Sequence, residues 1–370
     1  MITLWSVFSA TLWFALSTFL LFALRRNTSF LMRYGIAAWS GAMILAVVRL
    51  LLPLDSEHMT VVRSYHILPA LRRVLNHPLI AGVPLKWALC AIWIAGTFSG
   101  IAFVLYGLFR DGRQLRQFPC TPPPAKIQAA VQVCGLDVNI IRVSPAVCSP
   151  MAAGLLHPTI YFPVSDYPED ALPCVLKHEA CHIAGHDAWL KLGFLLFCCL
   201  FWWNPLVYFA RKSIDDILEL RCDRAALEDA SDTEQLAYVE AISYAAKQTL
   251  HHSPSFIGAS SFAQPRNSSL LVLRAKLALD EPHPRGWRVL AMFTLSLVLF
   301  AGSYLFIPQP AGFPSENDGG VPIHMFTSQT SYLKQTPSGD YELWSNGEYA
   351  GSVPADALDD ELFQNMEVLP

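Results

Sequence analysis

The chain has 370 residues and a formal net charge of −4; 53% of it is hydrophobic and only 15% charged, against roughly 25% charged in an ordinary soluble domain. A mean hydropathy of +0.34 excludes a purely soluble shell, which would carry large bare apolar patches, and excludes disorder over most of the length. There is no basic excess to draw the chain to nucleic acid, so direct nucleic-acid binding is not expected.

Four stretches reach the roughly 20 apolar residues that a bilayer crossing needs. They are 2–24, 34–54, 87–109 and 289–307. The first reads as a retained helix and not a signal peptide, because Arg25 and Arg26 follow the apolar run instead of preceding it. The second carries one charge, Arg49, near enough to its end to snorkel.

Lys and Arg positions set the expected orientation. The short loop Arg25–Arg33 holds three arginines and no acid, and Arg110, Arg113, Arg116, Arg285 and Arg288 flank the central segment. The tail beyond Ile307 holds one basic residue, Lys334, against ten acids. The first loop and the central segment are therefore expected in the cytoplasm, and both termini outside. Cysteine usage agrees: Cys90 lies in the third apolar stretch and the other eight of nine lie in the central segment, on the reducing side.

Within the central segment, Thr121-Pro122-Pro123-Pro124 marks a linker. Ala125–Cys134 reads as a helix, and Val138–Val143 and Thr159–Phe162 as strands from their β-branched and aromatic content. Ala171–Gly185 reads as a helix with Pro173 in its first turn. Leu206–Asp229 is a second long helix, opened by Asn204-Pro205, and the polar His251–Ser269 is expected to be a flexible loop. In the tail, Tyr341–Tyr349 around Ser345-Asn346-Gly347 is expected to form a β-hairpin.

The first of those helices reads His178-Glu179-Ala180-Cys181-His182. Histidines at i and i+4 share one helical face, so both imidazoles can reach one Zn²⁺. A glutamate between them stands where it can take a proton from an attacking water and pass it on. On the second helix lies Glu219-Leu220-Arg221-Cys222-Asp223. A Glu-x-x-x-Asp pair is usually a solvated helix face. After His-Glu-x-x-His, however, it is the arrangement by which gluzincin peptidases supply a third ligand and an aspartate that orients a ligand histidine. His186 can face the cleft as an auxiliary donor, and Asp187 is expected to orient or cap. Cys181 and Cys222 are expected to pack, and Trp202-Trp203 to anchor at the membrane interface.

Leu192–Ala210 is uncharged over 19 residues, long enough for a fifth span. A single crossing would put Glu219 on the far side of the membrane from His178 and His182. With Asn204-Pro205 as a break, the run is expected to turn back as a hairpin, in the membrane face or buried in the domain.

Together these features resemble the BlaR/MecR family of integral-membrane zinc metallopeptidases. The likeness rests on His178–His182 followed by Asp187, the Trp203-Asn204-Pro205-Leu206 turn and Glu219-Leu220-Arg221-Cys222-Asp223. It also rests on the run from Ser149-Pro150 through Gly154-Leu155-Leu156-His157-Pro158-Thr159-Ile160 to Pro163, and on the three-plus-one helix arrangement. It implies Zn²⁺ held by His178, His182 and Glu219, with Glu179 as general base and Asp223 behind the ligands. It further implies cleavage of a cytoplasmic protein, such as a transcriptional repressor, by a multi-pass protein of the bacterial inner membrane.

The fold expected is a polytopic α-helical membrane protein of four transmembrane helices with a mainly α, α+β gluzincin-like cytoplasmic domain. Its parts are a three-helix membrane domain (1–109), the metallopeptidase domain (110–286), the fourth helix (287–307) and a small acidic outer tail (308–370). The expected partners are the lipid bilayer and a cytoplasmic protein substrate; a homo-oligomer is compatible with the sequence. About 60 residues follow the last helix, fewer than an ordinary domain. Ser331-Tyr332-Leu333-Lys334 fits Ser-x-x-Lys but has no Lys-Thr-Gly or Ser-Asp-Asn partner, so a penicillin-binding sensor is not expected. The alternatives are a housekeeping membrane protease of the same chemistry, or a non-catalytic receptor or scaffold.

Overall fold

The computed structural model describes residues 3–25, 28–54, 59–64, 67–79, 83–164, 167–249, 260–261, 268–279, 285–310, 331–336, 340–345, 348–353, 363 and 366–369. Two apolar helices open the chain, α1 (Leu4–Arg25) and α2 (Thr28–Leu51), the latter kinked at Gly35, whose φ of 81° is open to glycine at little cost. A strand β1 (Thr60–Ser64) and a short amphipathic helix α3 (Ile67–Asn76) follow. Then comes α4 (Leu85–Arg116), 32 residues long. Its exposed Phe98, Phe103 and Leu105 are the surface that lipid covers.

The next elements are α5 (Ala125–Val133), β2 (Ile141–Val143), β3 (Met151–Ala153) and β4 (Thr159–Phe162). After them come α6 (Leu172–Ala184), α7 (Asp187–Leu200), α8 (Leu206–Leu227) and α9 (Asp232–Thr249). A two-residue strand β5 (Ser260–Ser261) and a helix α10 (Ser268–Leu279) complete this part. Three further helices and two strands thus join those expected. The loop expected over His251–Ser269 lies outside the described residues, apart from β5 and the start of α10.

The last apolar helix, α11 (Gly286–Gly302), has 17 residues. It is displaced from the expected 289–307 because Phe306 and Ile307 belong to a strand, β6 (Phe306–Pro310). The chain ends in β7 (Ser331–Gln335), β8 (Tyr341–Ser345), β9 (Glu348–Val353) and β10 (Glu367–Leu369). Among the described residues, three helices, α1, α2 and α4, are long and apolar enough to cross a membrane, and α11 is a shorter apolar helix; the chain is a multi-pass membrane protein with a large mixed α/β region outside the bilayer.

Contacts divide the chain into two units. In one (1–14, 46–91 and 298–370), β1 pairs in parallel with β6, and Trp5, Met59, Leu68 and Ile307 form a small core. Buried Arg49, near the end of α2, is satisfied there. Its Nε donates to Ser303 Oγ at 2.8 Å, and its guanidinium lies 4.2 Å from the Tyr304 ring centre. The tail of this unit carries more than the expected hairpin. β8 and β9 do pair antiparallel, but β7 and β10 extend them into a sheet of order β10-β7-β8-β9 over Leu333, Leu343 and Val353. The short strands and parallel β10 pairing left no two-residue turn signal to read.

The other unit (15–45 and 92–297) holds the chemistry. Its sheet has the order β2-β4-β3-β5, with β2 parallel to β4 and both β4 and β5 antiparallel to β3. α5, α6 and α9 close over it around Ile127, Ile160, Phe162, Leu172, Val175, Tyr238 and Ile242. α6 begins with Pro173 in its first turn, where a missing N–H costs nothing. It stops at Gly185, and His186 adopts φ 53°, one left-handed residue that redirects the chain by 54° into α7. A reciprocal pair, Ser231 N–H to Glu234 Oε2 at 2.8 Å and Glu234 N–H to Ser231 Oγ at 3.4 Å, caps α9.

The 192–210 run folds back. α7 ends at Leu200, Asn204 Oδ1 accepts from the Leu206 N–H to open α8, and Cys198 Sγ lies 3.7 Å from the Val207 carbonyl. The turn docks on α4: Trp93 Nε1 donates to the Leu200 carbonyl at 2.7 Å and Trp202 Nε1 to the Trp93 carbonyl at 3.3 Å. A Cβ at Gly96 would stand 2.5 Å from the Trp202 ring, and one at Gly100 would stand 3.1 Å from Cys199 Sγ. Small residues four apart on a membrane helix thus admit the hairpin end.

Candidate metal centre

α6 and α8 cross so that His178, His182 and Glu219 meet, all three buried. The two histidine Nε2 atoms are 3.2 Å apart; Glu219 Oε2 lies 3.5 Å from that of His178 and Oε1 3.7 Å from that of His182. Donors of a tetrahedral zinc at bonds of about 2.0–2.1 Å stand about 3.3 Å from one another. Neither oxygen of Glu219 has a hydrogen-bond partner despite full burial, a costly state for a carboxylate unless a cation takes it up. The residues present therefore fit a single zinc ion.

The remaining ring nitrogens fix the tautomers. His178 Nδ1 lies 3.1 Å from Asp223 Oδ1 and 2.9 Å from the Tyr238 hydroxyl, which itself donates to Asp223 at 2.7 Å. His182 Nδ1 lies 2.6 Å from Asp187 Oδ2. An Nδ1–H given to a carboxylate leaves the Nε2 lone pair free for a metal. Asp187 in turn receives Arg221 at 2.7 Å, and Cys222 Sγ packs 3.4 Å from His182 Nδ1. Gly185 makes room for Arg221, whose nearest nitrogen a Cβ would approach to 2.2 Å.

Two residues came to the site unannounced by the sequence motifs. Tyr238 is on α9. Arg274, on α10, is fully buried: its Nε and one terminal nitrogen each donate to Asp223 at 2.7 Å, and the other lies 3.4 Å from Glu219 Oε2. A signal for Arg274 was present in the sequence. Leu270, Leu273 and Ala278 form the buried stripe of α10, and Arg274 stands on that stripe where a core residue is expected. Lys191 of α7, also buried, has its Nζ 4.0 Å from Glu219 Oε1.

These charges shape the titration of the metal-free site. Burial opposes ionisation of Glu219, but His182, His178 and Arg274 outweigh it and hold the carboxyl at about 2. Burial opposes the imidazolium of His178, yet the Asp223 and Glu219 carboxylates beside it raise it to about 9. Burial likewise works against Asp223, and Arg274 and His178 keep it well below the usual carboxylate range. Glu179 goes the other way: burial pushes it up to about 8. Its buried carboxylate faces the backbone of Ala152 in β3.

His186 is exposed and lines the cleft beside His182, with Ala153, Leu155, Ile183 and Trp189 on the other walls.

A buried His-Glu-x-x-His helix completed by a glutamate from a second helix is the constellation of a zinc metallopeptidase. Residues 5–265 match the family model described as BlaR1 peptidase M56, and the chain belongs to that family. It is 26% identical over 162 residues to the regulatory protein BlaR1 of Bacillus licheniformis, covering 42% of this chain and 27% of that protein. It is 29% identical over 105 residues to the methicillin resistance mecR1 protein of Staphylococcus aureus, covering 28% of this chain and 18% of that protein. The chain thus spans under a third of the length of these relatives.

Proposed function

We propose that this protein is an integral-membrane zinc endopeptidase with a regulatory role, cutting a cytoplasmic protein such as a transcriptional repressor. The observation that carries the chemistry is Glu179, a fully buried carboxylate next in sequence to His178 in the three-donor cluster. A structural zinc site has no use for such a group; a hydrolytic one needs it.

His178, His182 and Glu219 would hold the ion, which when bound supplies Lewis-acid activation of water and of a peptide carbonyl. Glu179 takes the proton from the attacking water at a carboxylate oxygen and delivers it to the leaving amine. Asp223 and Asp187 keep the histidines in the Nδ1–H form through both steps. Arg274 neutralises the carboxylates behind the site, so that the negative charge of Glu219 and Asp223 does not repel the developing oxyanion.

The cytoplasmic placement is supported by the arginine-rich first loop, the basic flanks of the central segment and the acidic tail. The division at 109, 286 and 307 rests on the apolar runs of the sequence. The regulatory role is supported by the likeness to the regulatory protein BlaR1 of Bacillus licheniformis.

The test is zinc content and cleavage in purified full-length protein. His178→Ala, His182→Ala and Glu219→Ala are each expected to lower zinc content. Glu179→Gln is expected to keep the metal and abolish cleavage. Full zinc occupancy in the Glu219→Ala protein would remove it as third ligand. For topology, reporter fusions at Asp229 and Pro370 are expected on opposite sides of the membrane; the same side for both would overturn the four-span reading.

A further inference from the structure

The sheet β10-β7-β8-β9 has two faces of different character. Side chains alternate along each strand, which puts Leu333, Leu343 and Val353 on one face, packed with Phe363 and Met366. The opposite face of a mainly antiparallel sheet normally meets water and is polar. Here it carries Tyr332, Trp344 and Tyr349 on three adjacent strands, the first two half-buried and Tyr349 exposed.

An irregularity in the pairing builds this row. Leu343 pairs with Gly351, but the next residue, Trp344, pairs with Tyr349, so Ala350 is an extra residue in β9. In unbroken pairing Trp344 would oppose Ala350, and Tyr349 would turn to the core face. The bulge gives up regular ladder pairing and gains an aromatic ring on the outer face. The Trp344 ring lies within 5° of parallel to that of Tyr332, with 6.4 Å between centres. It meets Tyr349 edge-on, at 74° and 5.8 Å.

Carboxylates frame the rings. Glu342 accepts the Trp344 Nε1–H at 3.2 Å, and Glu367 of β10 stands opposite Tyr332. Lys334, opposite Glu342, is the single Lys or Arg of residues 308–370 against ten acids. The face of an aromatic ring is itself negative and attracts cations, so rings and acids select the same kind of ligand. A neutral sugar would stack on the rings and gain nothing from the acids. With strands about 4.8 Å apart, the row from Glu367 to Tyr349 runs roughly 14 Å. That is longer than one ammonium group and suits a chain of spaced cations.

We propose that this outer face of the tail sheet binds a cationic peptide, whose Lys or Arg side chains lie over Tyr332, Trp344 and Tyr349 and are met by Glu342 and Glu367. In the topology proposed above the face is outside the membrane, where such a peptide arrives from the surroundings. The site belongs to a different unit from the metal centre and does not rest on the peptidase reading; Glu179→Gln protein is expected to bind the peptide as the wild type does.

The experiment titrates full-length protein into an end-labelled, unstructured peptide of Lys, Arg and Gly and reads fluorescence anisotropy. A polyoxyethylene detergent keeps the protein soluble without offering charge or sugar. The wild type is expected to bind this peptide and to ignore one with Glu in place of every Lys and Arg. Trp344→Leu keeps apolar bulk on the sheet and removes the π face; it is expected to weaken binding about fivefold or more. Glu342→Gln combined with Glu367→Gln changes only side chains of the outer face, so the sheet is retained. That protein is expected to bind several-fold more weakly, with a flatter loss of affinity on adding salt. Equal affinity in the wild type and both variants would put the peptide elsewhere on the acidic tail and overturn the proposal. Unchanged affinity in the double Gln protein, or displacement of the peptide by neutral chitohexaose, would make the face a glycan platform and overturn it as well. So would a wild type that does not bind the peptide.

Discussion

His178 and His182 stand one turn apart on α6 and aim the same nitrogen at the same point, yet what lies behind them differs. Behind His178 is a sealed wall: Asp223, Tyr238 and Arg274, from α8, α9 and α10, each buried. Behind His182 is a corner that opens to solvent only past Asp187, which is itself buried. Asp187 is only five residues on, and its partner Arg221 keeps 38% of its side chain exposed. Removing a partner in the sealed wall strands a charge away from water, whereas removing one at the open corner lets water take its place. The inner side is therefore where the metal site is anchored, and the outer side is where a substrate enters.

The sharpest test of that contrast is Arg274→Met. It leaves two carboxylates, Asp223 and Glu219, without their shared cation in the interior, a loss that costs about 3–5 kcal/mol for a broken buried pair. The expected result is protein that unfolds at markedly lower temperature and retains little zinc, measured by metal analysis and thermal denaturation in detergent. Arg221→Met, on the open side, is expected to change either quantity little. Equal effects of the two substitutions would break the comparison.

Proton competition comes next. His178 in the metal-free site is raised from 6.5 to about 9. Its stabilisation is thus complete below pH 6.5 and is lost as the pH rises through 9. Glu179, raised from 4.5 to about 8, acts in the same direction between those values. Glu219, lowered from 4.5 to about 2, contributes stability above 4.5 that is lost as the pH falls through 2. Metal-free protein is therefore expected to weaken towards pH 9 and again at low pH, where burial also sets His182 against protonation. Zinc has to displace the His178 proton, so its apparent affinity should climb about tenfold per pH unit and level off near 9. Chelator competition from pH 6 to 10 measures this, and a flat profile would remove His178 from the charged state assigned to it.

The contrast also explains what the sequence could tell. The open corner is local: His178, His182 and Asp187 lie within ten residues, and helical spacing alone places them. The ligand Glu219 needed a second motif and a hairpin that returns, and Asn204-Pro205 marked the break. The sealed wall was not legible as chemistry. Tyr238 is 60 residues from His178 and Arg274 51 from Asp223, and no spacing rule joins helices whose packing is decided by the core between them. α11 was misplaced for a related reason: Phe306 and Ile307 are as apolar as a span requires, and only their pairing with β1 takes them out of the helix.

The orienting carboxylates give a smaller and graded test. Partners of this kind typically change metal affinity by about 10–100-fold. Asp223→Asn is expected near the upper end, because Arg274 then faces a neutral amide in a dry interior. Asp187→Asn is expected near the lower end, since Arg221 can turn to solvent. Competition titrations with a chromophoric chelator rank the two, and the reverse order would show that the open corner is the real anchor.

The mildest substitution probes whether the sealed wall works as a network or as a set of independent contacts. Tyr238 is wholly buried, and its hydroxyl both donates to Asp223 and lies 2.9 Å from His178 Nδ1. Tyr238→Phe keeps the ring that fills the core beside Ile242 and removes only the oxygen. His178 can still reach Asp223 directly at 3.1 Å, and both Arg274 contacts to that carboxylate remain. If the contacts act independently, the loss is that of one buried hydrogen bond, about 1 kcal/mol, or roughly fivefold in zinc affinity, with cleavage by the zinc-saturated protein retained. If they polarise one another, the loss exceeds that figure, and pairing Tyr238→Phe with Asp223→Asn gives less than the sum of the two. A double-mutant cycle on zinc affinity separates the cases: additivity within about 0.5 kcal/mol would mean that Asp223 alone orients His178 and that Tyr238 only fills space.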